Sequence, residues 1–203
     1  MNPFDEKAAT WDDNPGRREL ARHIFAAMGN LIEWNPAWLV LDAGAGTGLL
    51  TLAVALQVRH VTAVDTSAKM LEVLASKAAA LPVTPHPCSL EDLDLPAGSF
   101  DAVVSSMALH HVGDTAAALA GFARVLQPGG HLLLADLDAE DGSFHADNTG
   151  VAHFGFDRAA LSEKLTYAGF TAVRFSTAWE MERPLAQGGI RAFPIFCLHA
   201  VRQ

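Results

Sequence analysis

Short runs of apolar residues alternate along this chain with stretches of helical periodicity. That alternation is the pattern of an α/β domain built on a parallel sheet. Leu20, Ile24, Ala27, Met28 and Leu31 fall at spacings of three and four and predict a helix over residues 17–33. Asn14-Pro15-Gly16 in front of it is a start signal. A first strand is predicted over 38–41, ending at Asp42, followed by a glycine-rich turn and a helix over 49–57. A second strand covers 60–64 and ends at Asp65, and the helix after it, 67–81, is stopped by Pro82. Strands at 83–88, 100–105 and 131–135 follow, with a helix at 115–126 between the last two. Gln127-Pro128-Gly129-Gly130 reads as the turn between that helix and the next strand. Residues 138–155 are polar and aperiodic. A helix over 157–168, with Asp157 as its N-cap, leads into closing strands at 170–178 and 190–201, joined by a loop with Pro184, Gly188 and Gly189. The sum is seven strands in one sheet and one domain over 1–203.

With 50% hydrophobic and 18% charged residues in 203, the chain can fill a core and is not a disordered one. Fourteen Lys and Arg against 23 Asp and Glu leave a net charge of -9, which argues against a nucleic-acid partner. No apolar stretch approaches the roughly 18 residues that span a bilayer, and the N-terminal residues carry no basic run before an apolar one. The expectation is a cytoplasmic protein with no membrane partner. Cys88 and Cys197 stand in strand-like contexts without a C-x-x-C pattern, and both are expected as buried thiols.

The most informative stretch is Asp42-Ala43-Gly44-Ala45-Gly46-Thr47-Gly48, between an apolar strand and a helix. Glycines there permit a tight turn and close approach of a ligand to the backbone. The spacing is G-x-G-x-G, and Leu49 stands where a dinucleotide fingerprint needs a small residue. No G-K-[ST] follows, so a P-loop is excluded. Asp65 lies 65 − 44 = 21 residues after the first glycine, where a carboxylate at the next strand tip accepts hydrogen bonds from ribose hydroxyls.

These residues give the chain a resemblance to the class I S-adenosylmethionine-dependent methyltransferases. Val40 to Gly48 resembles that family's first motif, and Val64-Asp65-Thr66-Ser67-Ala68-Lys69-Met70-Leu71 its acidic loop. Phe100 to Ser105 followed by His110-His111-Val112 resembles the fourth-strand region, and Leu126 to Leu132 the turn into strand five. The resemblance implies a doubly wound, Rossmann-like sheet in the order 3-2-1-4-5-7-6 with strand 7 antiparallel. It implies a cofactor core at 37–136, a lid and helix at 1–36 and an acceptor-side segment at 137–203. The cofactor is S-adenosylmethionine, and the binding set is Asp42, Gly44, Ala45, Gly46, Gly48, Asp65, Thr66, Met70, Ser89, Leu90, Glu91 and Ser105. Within it, Asp42, Gly44 and Gly46 take the methionine portion and Asp65 the ribose. Thr66 and Met70 flank the adenine, and residues 88–92 meet its edge. Many relatives carry Asp where Ser89 stands.

The sulfonium methyl is already activated, so alignment and exclusion of water can carry much of the rate. A base is needed only for a protonated nucleophile, and His110 and His111, at the carboxyl edge of the sheet, are the candidates. Trp11, His145, His153 and Phe154 are the candidate acceptor contacts. The separations of His145, Asp147 and His153 match no common metal signature, so no metal is expected. No N-P-P-Y element follows strand four, which disfavours nucleic-acid base methylation. The expected activity is direct in-line methyl transfer to a small-molecule acceptor. The alternatives are a non-catalytic binder of the same cofactor and, further off, an NAD-dependent oxidoreductase.

Overall fold

Why the site forms where it does follows from the alternation of side chains along the central strands. In the computed structural model, which describes residues 2–185 and 188–203, β1 (Leu39–Ala43) sends Leu41 and Ala43 to one face of the sheet and Val40 to the other. Neighbouring β4 (Phe100–Ser106) sends Val103 to the first face and Ala102 and Val104 to the second. Both faces are apolar because both are covered, as a parallel sheet requires. Helices α4 (Thr115–Val125) and α5 (Arg158–Tyr167) cover the first face through residues such as Leu119, Phe122, Leu161 and Leu165. Helices α1 (Pro15–Leu31) and α2 (Thr51–Ala55) cover the second through Leu20, Ile24, Met28 and Val54. Helix α3 (Ala68–Lys77) packs Leu71 and Leu74 on Ala63 of β2 (His60–Asp65).

The sheet also contains β3 (Val83–Pro87), β5 (Leu126–Leu137), β6 (Phe170–Pro184) and β7 (Ile190–Arg202), in the order β3-β2-β1-β4-β5-β7-β6. β7 runs antiparallel to both its neighbours, β5 and β6. This is the predicted order. β1 is flanked by β2 on one side and β4 on the other, so the chain winds outward in both directions from that pair. The crevice beyond the carboxyl ends of β1 and β4 is where such sheets bind ligands.

Caps fix the helix starts. Asn14 Oδ1 accepts from Gly16 N with Pro15 as the first helical residue, and Asp157 Oδ1 accepts from Ala160 N at 2.9 Å, as expected. The predicted turn at 127–130 is instead drawn into β5. Phe100 pairs with Leu126 and Ala102 with His131, so the intervening residues bulge out of the ladder, with Gly129 at φ 79°. β6 runs six residues past its predicted end at 178, because 179–184 pair with β7 residues 190–195. Residues 5–13 form a 3₁₀ helix that no periodicity announced. Met1 and residues 186–187, part of the predicted N-terminal stretch and closing loop, lie outside the described residues. No described helix is long and apolar enough to cross a membrane.

Candidate active site

The turn after β1 is held by two amides. Gly44 N and Ala45 N both donate to the Val64 carbonyl at 2.9 Å, which locks the turn to the end of β2. Gly44 has φ 80°, and a Cβ on it would stand 2.3 Å from Ala108 Cβ, so the loop after β4 approaches too closely for any side chain. Gly46, at φ 53°, is different: a Cβ there meets nothing within 4 Å, and the residue lines a cavity of about 510 Å³. Asp65 closes the arrangement. Its Oδ2 accepts from Gly46 N and its Oδ1 from Ser67 N, both at 2.8 Å. Burial raises its pKa, and the amides of Ser67, Gly46 and Thr66 pull the other way. Asp42 is buried beneath the turn and accepts from Thr51 Oγ1 at 2.6 Å. Its burial pushes its pKa up to about 7.

The leader crosses these loops. Asp12 Oδ1 accepts from Thr47 Oγ1 at 2.6 Å, and Lys77 Nζ pairs with Asp12 Oδ2. Asp5 Oδ1 accepts from Ser67 Oγ at 2.6 Å, and Asn2 Nδ2 donates to Thr66 Oγ1 at 2.9 Å. Trp11 lines the cavity, with the Arg17 guanidinium 3.7 Å above its ring.

Beyond the turn the cavity is walled by histidines. His110 is buried, and its Nδ1 lies 2.7 Å from Oδ1 of the equally buried Asp136. The His110 amide reaches Asp136 Oδ2 at 3.2 Å. Ionised Asp136 can only accept, so the ring carries its proton on Nδ1 and leaves a lone pair on Nε2. That Nε2 is buried and has no partner among the described residues. His111 Nδ1 donates to the Gly150 carbonyl at 2.8 Å. The His110 ring centroid lies 4.0 Å from that of His111 and 5.2 Å from that of His145. Burial first, then the neighbouring His110, hold His111 and His145 down to about 4.

Both rings are therefore neutral at pH 7, whereas an unfolded imidazole takes its proton near about 6.5. The unfolded chain binds more protons as pH falls from about 6.5 toward about 4, so the stability these rings contribute is lost over that window. Nuclear magnetic resonance titration of the folded protein should place both midpoints near about 4. Midpoints near the ordinary imidazole value would mean that the cavity is fully hydrated.

Most of the sequence-predicted residues meet on this wall: the expected cofactor contacts Asp42, Gly44, Ala45, Gly46, Asp65, Thr66, Met70, Ser89, Leu90 and Glu91, together with Trp11, His110, His111 and His145. Four do not. Gly48 serves packing, since a Cβ there would fall 2.8 Å from Leu74 Cγ of α3. Ser105 turns its hydroxyl to the Ala43 carbonyl at 2.7 Å, and Ser106 lines the cavity in its place. His153 Nε2 donates to the Val112 carbonyl at 2.9 Å, and Phe154 covers Gly142 while 43% exposed. Sequence reasoning missed Asp136 as the partner of His110, and missed Met181 and Arg183 on the cavity wall, which Phe144 also lines. Cys197 is buried, its thiol pushed up to about 12. Cys88 is only half-buried at the end of β3, beside a His86–Asp94 pair at 2.6 Å. Among the described residues, His86, Cys88 and Asp94 are the group whose possible metal-ligand atoms come within 4.8 Å of one another; His145, Asp147 and His153 do not converge.

Residues 41–134 match the methyltransferase domain family. An uncharacterized methyltransferase of Mycobacterium tuberculosis is 41% identical over 93 residues, 46% of this chain and 47% of its own length. The ubiquinone biosynthesis O-methyltransferase of Xanthomonas axonopodis pv. citri is 39% identical over 108 residues, 52% of this chain and 45% of its own. The chain thus spans about half the length of these curated relatives. Among solved structures, the YcgJ protein of Bacillus subtilis superposes with a TM-score of 0.76 at 19% identity, over 90% of this chain and 99% of that one. Phosphoethanolamine N-methyltransferase 2 of Haemonchus contortus, in complex with S-adenosyl-L-methionine, gives 0.72 at 17% identity, over 89% of this chain and 52% of that one. Strand order, glycine turn and matched domain agree: residues 41–134 are similar to the methyltransferase domain family, and the whole sheet has the fold of these solved methyltransferase structures.

Proposed function

We propose that the protein transfers the methyl group of S-adenosylmethionine to a hydroxyl of a small-molecule acceptor, with His110 taking the proton. The observation that carries the reading is one cavity lined by Gly46, Asp65 and His110, whose buried Nε2 has no partner among the described residues. The residues present fit the cofactor. Asp65 Oδ2 accepts from Gly46 N and Oδ1 from Ser67 N, and a carboxylate has lone pairs beyond these for a ribose hydroxyl. The open side of Gly46 leaves room against the backbone. Ser89 Oγ accepts from Glu91 N at 3.2 Å, which shapes the loop at the adenine edge and leaves the Leu90 amide as the contact expected there.

Bound cofactor supplies a methyl carbon on a positively charged sulfur. The chain's part is to hold an acceptor oxygen in line with it and to dispose of one proton. As the oxygen–carbon bond forms and the carbon–sulfur bond breaks, the hydroxyl proton moves to His110 Nε2. Asp136, on the opposite ring nitrogen, stabilises the imidazolium that results. A base at this position suits an oxygen nucleophile, and a relative named as an O-methyltransferase supports that choice.

Calorimetry with S-adenosylhomocysteine tests the cofactor half. The wild-type protein should bind it and show no heat with NADH. Asp65→Ala should lose about 1.5–3 kcal/mol of that affinity, the worth of hydrogen bonds to a charged group. An unchanged affinity would remove Asp65 from the site.

A further inference from the structure

We propose that the methyl acceptor carries an anionic group, of carboxylate type, and that Arg183 is the residue that holds it. The inference rests on the functional reading above and adds the chemical class of the acceptor.

Arg183 stands near the end of β6, in the stretch that extends past the strand's predicted end, and it lines the cavity. Its guanidinium carbon sits 4.4 Å from the centroid of the Phe144 ring. Its Nε is buried and without a hydrogen-bond partner, and no carboxylate among the described residues lies within ion-pair distance of it. His145, whose ring meets the same Phe144 at 4.8 Å, also has a buried Nε2 without a partner. Two orphaned polar nitrogens thus border one aromatic ring.

The acids of the cavity wall, Asp42, Asp65 and Glu91, are engaged by Thr51, by the amides of Gly46 and Ser67, and by the Asp114 amide. Asp136 is engaged by His110. Among the described residues, the cavity wall therefore offers the guanidiniums of Arg17 and Arg183 and no carboxylate free of a partner, in a chain whose net charge is -9. A half-buried cation without a counter-charge is costly unless its ligand supplies one. A planar guanidinium matches a planar carboxylate through paired N–H donors, and the Phe144 ring packs against this one.

The competing user of Arg183 is the cofactor's own carboxylate, and the experiment separates the two. Protein saturated with S-adenosylhomocysteine is titrated calorimetrically with benzoate and with neutral, equally shaped benzamide. Wild-type protein should favour benzoate by about tenfold or more. Arg183→Met should abolish that preference while its affinity for S-adenosylhomocysteine stays within about twofold, and Arg183→Lys should keep part of the preference. Equal binding of the two probes, no benzoate binding, or a preference that survives in Arg183→Met overturns the proposal. So does a large loss of S-adenosylhomocysteine affinity in Arg183→Met, which would assign the arginine to the cofactor. Wild-type protein that binds no S-adenosylhomocysteine overturns the functional reading, and this proposal with it.

Discussion

Asp136→Asn should slow methyl transfer by about 10²–10⁴-fold while leaving S-adenosylhomocysteine affinity unchanged. The amide has the shape of the carboxylate but can donate as well as accept, and it carries no charge. It can therefore hold His110 in the wrong tautomer, with the proton on Nε2 and no base facing the acceptor. It also withdraws the charge that makes an imidazolium tolerable in a buried setting, where Asp136 is fully buried and His110 is 1% exposed. The measurement is transfer of labelled methyl from the cofactor into a small-molecule extract, with the rate followed against pH. The variant should be the slower protein at every pH. Equal rates in the two proteins would show that the acceptor loses its proton elsewhere.

Gly44→Ala and Gly46→Val should fail in opposite ways. At position 44 the new methyl would stand 2.3 Å from Ala108 Cβ with the backbone at φ 80°. Either β4's loop moves or the turn does, and a cost of about 2–5 kcal/mol follows from strain and overpacking together. Thermal denaturation should report it as a marked fall in Tm. At position 46 the backbone strain is of order 1–2 kcal/mol, but no protein atom lies within 4 Å of the new Cβ. That variant should fold, and its side chain should fill the space the cofactor needs. Calorimetry should show no heat with S-adenosylhomocysteine. A stable Gly44→Ala protein would discount the close approach, and full affinity in folded Gly46→Val would place the cofactor elsewhere.

What the sequence revealed and what it hid divide along a physical line. Strand, turn and helix succession from residue 38 to 136 is local: it depends on periods of two and about 3.6 and on glycines at fixed offsets, and the sheet follows it. The choice between Ser105 and Ser106 is also local but turns on a single residue, and a one-residue error moves a side chain from cavity to core. The His110–Asp136 pair is not local. It exists because Ser106 is in register with Ala135, so the ends of β4 and β5 stand side by side. Nothing in a linear pattern says which acid meets which ring. The loop 138–155 lacks any period, so His145 reached the cavity while His153 and Phe154 were drawn to Val112 and Gly142. Arg183 was hidden because residues 179–184 become strand only through pairing with 190–195.

The way the first residues are fastened has a consequence for how the molecule cycles. Asn2, Asp5 and Asp12 tie the segment to Thr66, Ser67 and Thr47 by hydrogen bonds that are exposed or only partly buried, with Ala8 as the buried residue of its short helix. Each such bond contributes only about 0.5–1.5 kcal/mol net. Unfastening the segment therefore costs little next to the sheet beneath it. On the proposed function, cofactor exchange would run through release of this segment and leave the sheet intact.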